Sequence, residues 1–180
     1  IASPETLTYL GFDSLNYLTN HNSRFDDNSI EAIYEQYLFN KSYLNSLNKV
    51  DPDELGNTKY SLDIQKFNLE NKIISYQAFP FHFNPVSQFY GKHLRIIEFL
   101  TDSHKIVDER SIRDYLYRVS AASEVIENNI NYLNERAQRG IFSPRFVYEK
   151  ASRQLSNIIS FEIQDNPIYF SLERRLNELE

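Results

Sequence analysis

Four histidines, His21, His82, His93 and His104, are the side chains here best suited to metal ligation or proton transfer. The last three are spaced by 11 residues, about three turns of a helix, which could align ligands along one face. His82, however, lies between Pro80 and Pro85, and His104 falls in a connector, Thr101-Asp-Ser-His104, so no single helix joins them. Neither His-Glu-x-x-His nor Glu-x-x-His occurs. The acidic residues Asp13, Asp26 and Asp27 lack the alternating spacing that wraps oxygens around calcium, and they read as a solvated loop. Composition permits a Ser-His-Asp arrangement, but no serine has nucleophile-elbow context. The residues thus predict no catalytic and no metal-ligating side chain in this chain.

Binding chemistry has one candidate. The aromatic residues Phe79, Phe81, Phe83, Phe89 and Tyr90 gather around a proline-rich stretch, where rings either plug the end of a helical array or line a ligand groove. As a groove, its polar contacts would be His82 and Asn84, so Phe81, His82, Asn84 and Tyr90 are the candidate cleft-lining residues. Arg136, Arg139 and Arg145 flank Gly140 and could meet an anion, although compensation of a helix end explains them better. Glu109, Arg110, Arg113 and Asp114 read as surface pairs at a helix start.

The elements that must position these residues are helical. Asp108 to Phe146 carries Ile112, Leu116, Val119, Ser123, Ile126, Ile130, Leu133 and Ala137, alternating spacings of four and three, as on one face of a long helix. Asp108 caps its start, Gly140 at C′ ends it, and Ser143-Pro144 begins the next helix as N-cap and N1. Earlier, Ser3-Pro4-Glu5-Thr6 opens a short helix to Gly11, followed by a polar, turn-favouring stretch to Asn28. Asn28 or Ser29 caps a helix reaching about Val50, and Asp51-Pro52 starts a single turn closed by Gly56. Residues Thr58 to Phe79 place apolar side chains on more than one face, which predicts a helix covered by neighbours on two sides. Val86 to Leu100 is helical in pattern but interrupted at Gly91. Phe146, Val147, Ala151, Leu155, Ile158 and Ile159 form a further stripe, and Asn166-Pro167 starts the last helix. No alternating strand and no internal repeat is present. The expectation is an all-α fold, with six to seven helices in an antiparallel, bundle-like array around one long helix at about 109–139.

Composition agrees. At 180 residues, 41% hydrophobic and 24% charged, the chain suits one globular domain spanning 1–180. The net charge of −6 argues against nucleic acid or an anionic membrane surface as the main partner. No apolar run is long enough for a transmembrane segment. Only 4 glycines occur, too few for sheet turns and phosphate-binding loops. With no cysteine, disulfides and thiolate chemistry are excluded. The chain opens Ile1-Ala-Ser-Pro4 without methionine and stops within a helical pattern at Glu180, as expected of a trimmed fragment.

Several stretches in order carry a resemblance: Ser3-Pro4-Glu5-Thr6 to Gly11, a polar loop with Asp26, Leu47-Asn-Lys-Val-Asp51-Pro-Asp-Glu-Leu55, the Leu69-Glu70 helix, and Phe79-Pro80 with Asn84-Pro85. Asp114-Tyr115-Leu116 through Leu133, Arg139-Gly140-Ile141, Pro144 and Asn166-Pro167 complete it. Together they resemble the N-terminal half of the bacterial domain-of-unknown-function 885 family, over nearly the whole chain. The resemblance implies a much longer parent, often exported and lipid-anchored, similar to zinc-dependent gluzincin-type metallopeptidases. The family's presumed metal site, a His-Glu stretch followed by Pro-Gly-His-His, lies far downstream and has no counterpart here. What it implies for this chain is a non-catalytic helical region, without a cofactor of its own, that supports or flanks a peptide cleft formed with a C-terminal half; zinc would belong to that half. The compartment implied is periplasmic or lipid-anchored, with the cytoplasm as alternative. A reading from a different class is a free-standing helical module that binds a peptide or partner helix in an aromatic groove.

Overall fold

A computed structural model describes residues 3–179. Helices fill it, and no strand occurs among the described residues, so the fold is all-α. The chain clusters into two compact units, Ser29–Phe83 and the remainder, described separately below.

The larger unit begins with α1, Pro4–Tyr9, where the Ser3 hydroxyl accepts from the Thr6 amide at 3.0 Å and proline occupies the first turn. After 3-10 turns and the single-turn α2, Asn16–Thr19, the chain passes to the second unit. That unit holds α3, Ile30–Leu47, capped by Ser29, and α4, Lys59–Ala78, joined through a 3-10 segment. Their mutual seam buries Leu62, Leu69 and Ile73 of α4 and stacks Tyr37 on Tyr76, with ring centroids 4.4 Å apart. Gln77 donates to the Tyr37 hydroxyl at 3.1 Å.

The larger unit resumes with α5, Lys92–Glu98, which runs into a π-helical turn, Phe99–Ser103. The helical pattern expected from Val86 onward is corrected here: the helix starts only at Lys92. The reason is local. The Ser87 hydroxyl accepts from the amides of Phe89 and Tyr90, and its carbonyl accepts from Gly91, closing a turn instead. Gly91 is required by close packing, since a Cβ would lie 2.3 Å from the His93 ring and 2.5 Å from the Ser87 carbonyl.

The long helix α6 spans Glu109–Gln138, close to the expected 109–139. A capping box starts it: Asp108 accepts from the Ser111 amide at 2.7 Å while the Ser111 hydroxyl accepts from Asp108. These Ser111 bonds hold the Asp108 carboxyl below its usual range. The helix ends in a Schellman motif, Ile141 N–H to Arg136 O and Gly140 N–H to Ala137 O, with Gly140 at φ +70°. Next come α7, Arg145–Ile159, and α8, Pro167–Asn177, capped by Asn166. Pro144 stands at the N-cap of α7, one position earlier than expected, and the Ser143 amide donates to the Tyr148 hydroxyl rather than Ser143 capping the helix.

One expectation about α6 is overturned. Its buried residues are Ser111, Asp114, Tyr115, Arg118, Val125, Asn129, Tyr132 and Arg136, a stripe one residue out of step with the apolar one. Ile112, Val119 and Ile126 pack at the edge of the core, while Leu116 and Ile130 are 53% and 50% exposed. The face that α6 turns inward is mixed, five polar residues beside Tyr115, Val125 and Tyr132. Around it Phe25, Ile96, Phe99, Leu100, Ile106 and Tyr115 form the core.

Replacing Gly91 by alanine should destabilise the chain by about 1–3 kcal/mol through overpacking. A Gly91→Ala protein whose urea midpoint equals wild type would contradict this packing.

Candidate functional site

The inward face of α6 is organised by Arg118, whose side chain is wholly buried. Its Nε donates to Arg24 O at 2.9 Å, Nη2 to His21 O at 2.7 Å and Thr8 Oγ1 at 3.3 Å, and Nη1 to His104 Nδ1 at 2.8 Å. The guanidinium plane also lies over Phe99, 4.7 Å from its centroid. Among the described residues no carboxylate touches it. Burial lowers its pKa to about 10, opposed by Glu5, Asp114, Asp13 and Asp26 at a distance, so it stays cationic at neutral pH.

A chain of amides closes the circuit from the other side. Asn16 donates to Asp114 of α6 and accepts from the Asn22 amide at 2.9 Å; Thr8 donates to Asn22 at 3.2 Å and accepts from Arg118. The polar stretch after Gly11 is therefore folded against α6, with Asn16, His21, Asn22 and Phe25 buried. This corrects the reading of Asp13 and Asp26 as a solvated loop, while Asp27 is exposed as expected. Asp26 accepts from the Ser3 hydroxyl at 2.6 Å and the Glu5 amide at 2.9 Å, and Glu5 pairs with Lys92 at 2.7 Å.

His104 is the second member of the site. Its Nδ1 accepts from Arg118, so its Nε2 carries the proton, donated to Ser111 O at 3.0 Å. Its carbonyl accepts from Arg175 Nη1 at 2.6 Å, and Arg175 Nη2 reaches Leu100 O at 3.0 Å, so α8 supplies donors to the end of the π-helical turn. Burial, then Arg118, lowers the ring pKa to about 4. His21 is also buried: Nδ1 lies 2.6 Å from the Thr19 hydroxyl, while Nε2 faces Asp13 at 3.9 Å, too far for a hydrogen bond. Burial, partly opposed by Asp13, lowers its pKa.

The structure brings the histidines to different partners. His93 Nε2 meets Gln154 Oε1 at 3.2 Å, and exposed His82 lies 3.2 Å from Phe79 O. Among the described residues no three His, Asp or Glu side chains form a group able to hold a metal ion. Of the cleft candidates, Phe81 and His82 close the smaller unit while Asn84 and Tyr90 open the second part of the larger one. Asn84 donates to Ser143 Oγ at 2.8 Å, Phe81 is half-buried, and Tyr90 is 75% exposed beside Phe89. An open, apolar groove of ≈ 460 Å³ lies elsewhere, lined by His93, Ile96, Ile126, Leu155 and Ile158 with Glu127 at its polar side. It can take an aliphatic side chain. Sequence reasoning named His21 but missed Arg118 and Asn16; the signal available for Arg118 was an arginine within a helix, next to Val119 and away from either end.

These features define an all-α protein built on a mixed, largely polar buried helix face. The chain belongs to the family described as "Bacterial protein of unknown function (DUF885)", whose model matches residues 4–179. No curated protein and no solved structure matches it.

Two outcomes follow from this geometry. Arg118→Met strands two carbonyls and His104 Nδ1, and Arg118→Lys does not restore the planar fork; both should lower unfolding free energy by at least ~3 kcal/mol, read by urea denaturation. His104 has a folded pKa of about 4, below the roughly 6.5 of an unfolded histidine. Its neutral ring therefore contributes fully above about pH 6.5 and loses that contribution as pH falls toward 4, roughly 3 kcal/mol in all. Between pH 7 and 4, wild type should lose more stability than His104→Gln by that order; equal losses would refute the buried neutral ring.

Proposed function

We propose that this chain is the non-catalytic helical N-terminal region of a bacterial metallopeptidase-like protein, and that it supports or flanks a substrate cleft completed by a C-terminal half. What carries the reading, beside the family, is the apolar surface left on the larger unit. Leu116 and Ile130 of α6, Phe146 and Ile159 of α7, and Tyr169 and Phe170 of α8 are all about half exposed or more. Monomers seldom leave extended apolar surface in water unless something binds it. The polar groups that could do chemistry, by contrast, are engaged inside the fold: Arg118, His104 and Asp114 hold secondary structure together.

The donors among the described residues do not fit a zinc site, so on this reading the metal is held by residues outside these 180, and no step is routed through it. The contribution of this chain is to present one wall of the cleft, with the exposed Tyr90 and Phe89 as its aromatic contacts for a peptide. The same reading makes the protein exported, periplasmic or lipid-anchored.

The reading frame beyond Glu180 tests this directly. It should continue for a few hundred residues and carry a His-Glu stretch followed by Pro-Gly-His-His; the longer protein should bind zinc, and Tyr90→Ala in it should raise KM for peptide while leaving the melting temperature unchanged. A stop codon soon after Glu180 would sink the proposal.

A further inference from the structure

Helix α4 has apolar residues on two opposite faces, and only one of them is covered within its unit. Leu62, Leu69, Ile73 and Tyr76 face α3. On the other side Tyr60, Ile64, Phe67 and Ile74 are each about 60% exposed. With Asn71 they form the sequence 60, 64, 67, 71, 74, alternating four and three, which is the a/d seam of a two-heptad coiled coil. In that register Tyr60, Phe67 and Ile74 are d residues, and Ile64 and Asn71 are a residues. The sequence alone already asks for a helix buried on two sides, and the fold supplies one neighbour.

We propose that this face pairs with the same face of a second copy of the chain, the two α4 helices running parallel. Three features select that occupant. First, a single Asn at a fixes the register of parallel dimers by pairing with itself. Asn71 spends one N–H on the Phe67 carbonyl at 2.9 Å, leaving its second N–H and its oxygen for Asn71 of the other copy. Second, the flanks are self-compatible only in parallel. One edge of the seam carries Asp63 and Glu70, the other Ser61, Asn68 and Ser75. A parallel pair sets Asp63 beside Asn68 and Glu70 beside Ser75 of the other copy; an antiparallel pair sets acid against acid. Third, α3 lies on the opposite side of α4 and does not obstruct the seam. Two heptads bury little area, so the association is weak and concentration-dependent.

Sedimentation equilibrium of the 180-residue chain tests this. The apparent mass should rise reversibly from 21.3 kDa toward twice that value with concentration. Phe67→Asp should stay monomeric throughout while keeping the wild-type melting temperature at high dilution, because the ring contributes little to the monomer. The chain lacks cysteine, so a single introduced thiol reports geometry. Ile64→Cys should cross-link between copies under mild oxidation, and Gln65→Cys, one residue off the seam, should not. A wild-type chain that remains at 21.3 kDa, a dimer that survives Phe67→Asp, or equal cross-linking at both positions would each overturn the proposal. A monomer would leave the face to a helix from another protein. None of these outcomes bears on the C-terminal cleft, which rests on the surface of α6–α8.

Discussion

The structure depends on one buried cation. Arg118 sits about a third of the way along α6, fully enclosed, and meets no carboxylate among the described residues. A desolvated guanidinium is tolerated only when its N–H groups find acceptors, and here the acceptors are backbone carbonyls of Arg24 and His21, the Thr8 hydroxyl and the ring of His104. Those acceptors come from the N-terminal turns and from the connector before α6. The segment from Thr8 to Phe25 is thereby tied to a helix roughly a hundred residues away in sequence, which no short-range signal accomplishes.

Satisfying Arg118 also decides the state of its neighbours. His104 must be neutral, with its proton on Nε2, because Nδ1 accepts from the guanidinium. That proton goes to Ser111, the residue whose hydroxyl completes the cap of α6. Capping, tautomer and salt-free burial of a cation are thus one arrangement, reinforced from α8 by Arg175. The result is a buried polar network beside the apolar core, and an exterior on which many large apolar side chains remain exposed. The hydrogen-bonding side chains Arg118, His104 and Asp114 are engaged inside, and unspent hydrophobic area lies outside.

The two units differ in how much of themselves they cover. The larger one has a core of Phe25, Ile96, Phe99, Leu100 and Tyr115. The Ser29–Phe83 hairpin has only the seam between α3 and α4, and a pair of helices can enclose just one face of each. The apolar residues on the outer face of α4 therefore stay exposed within the unit.

Local chemistry made much of the fold legible in the residues. Caps at Ser3, Ser29, Asp108 and Asn166, and the left-handed Gly140, act within one turn of chain, so the helices they start and stop could be read directly. The double-sided pattern of α4 could be read in the same way. Which face of α6 turns inward could not. Periodicity favours the apolar stripe through Leu116 and Ile130, but burial is decided by partners distant in sequence, and Arg118, Asp114 and Asn129 found theirs in Asn16, His21, Arg24 and Asn28. The turn at Ser87 and Gly91 likewise overrode a helical pattern because one hydroxyl and one close contact with His93 outweighed propensity. The sequence by itself determined that the chain is helical and where most helices begin and end, because those signals are local. Tertiary structure alone decided that Arg118, Asp114 and Asn129 would be buried while Leu116 and Ile130 stay exposed, because hydrogen bonds to a desolvated arginine require acceptors that only folding brings together.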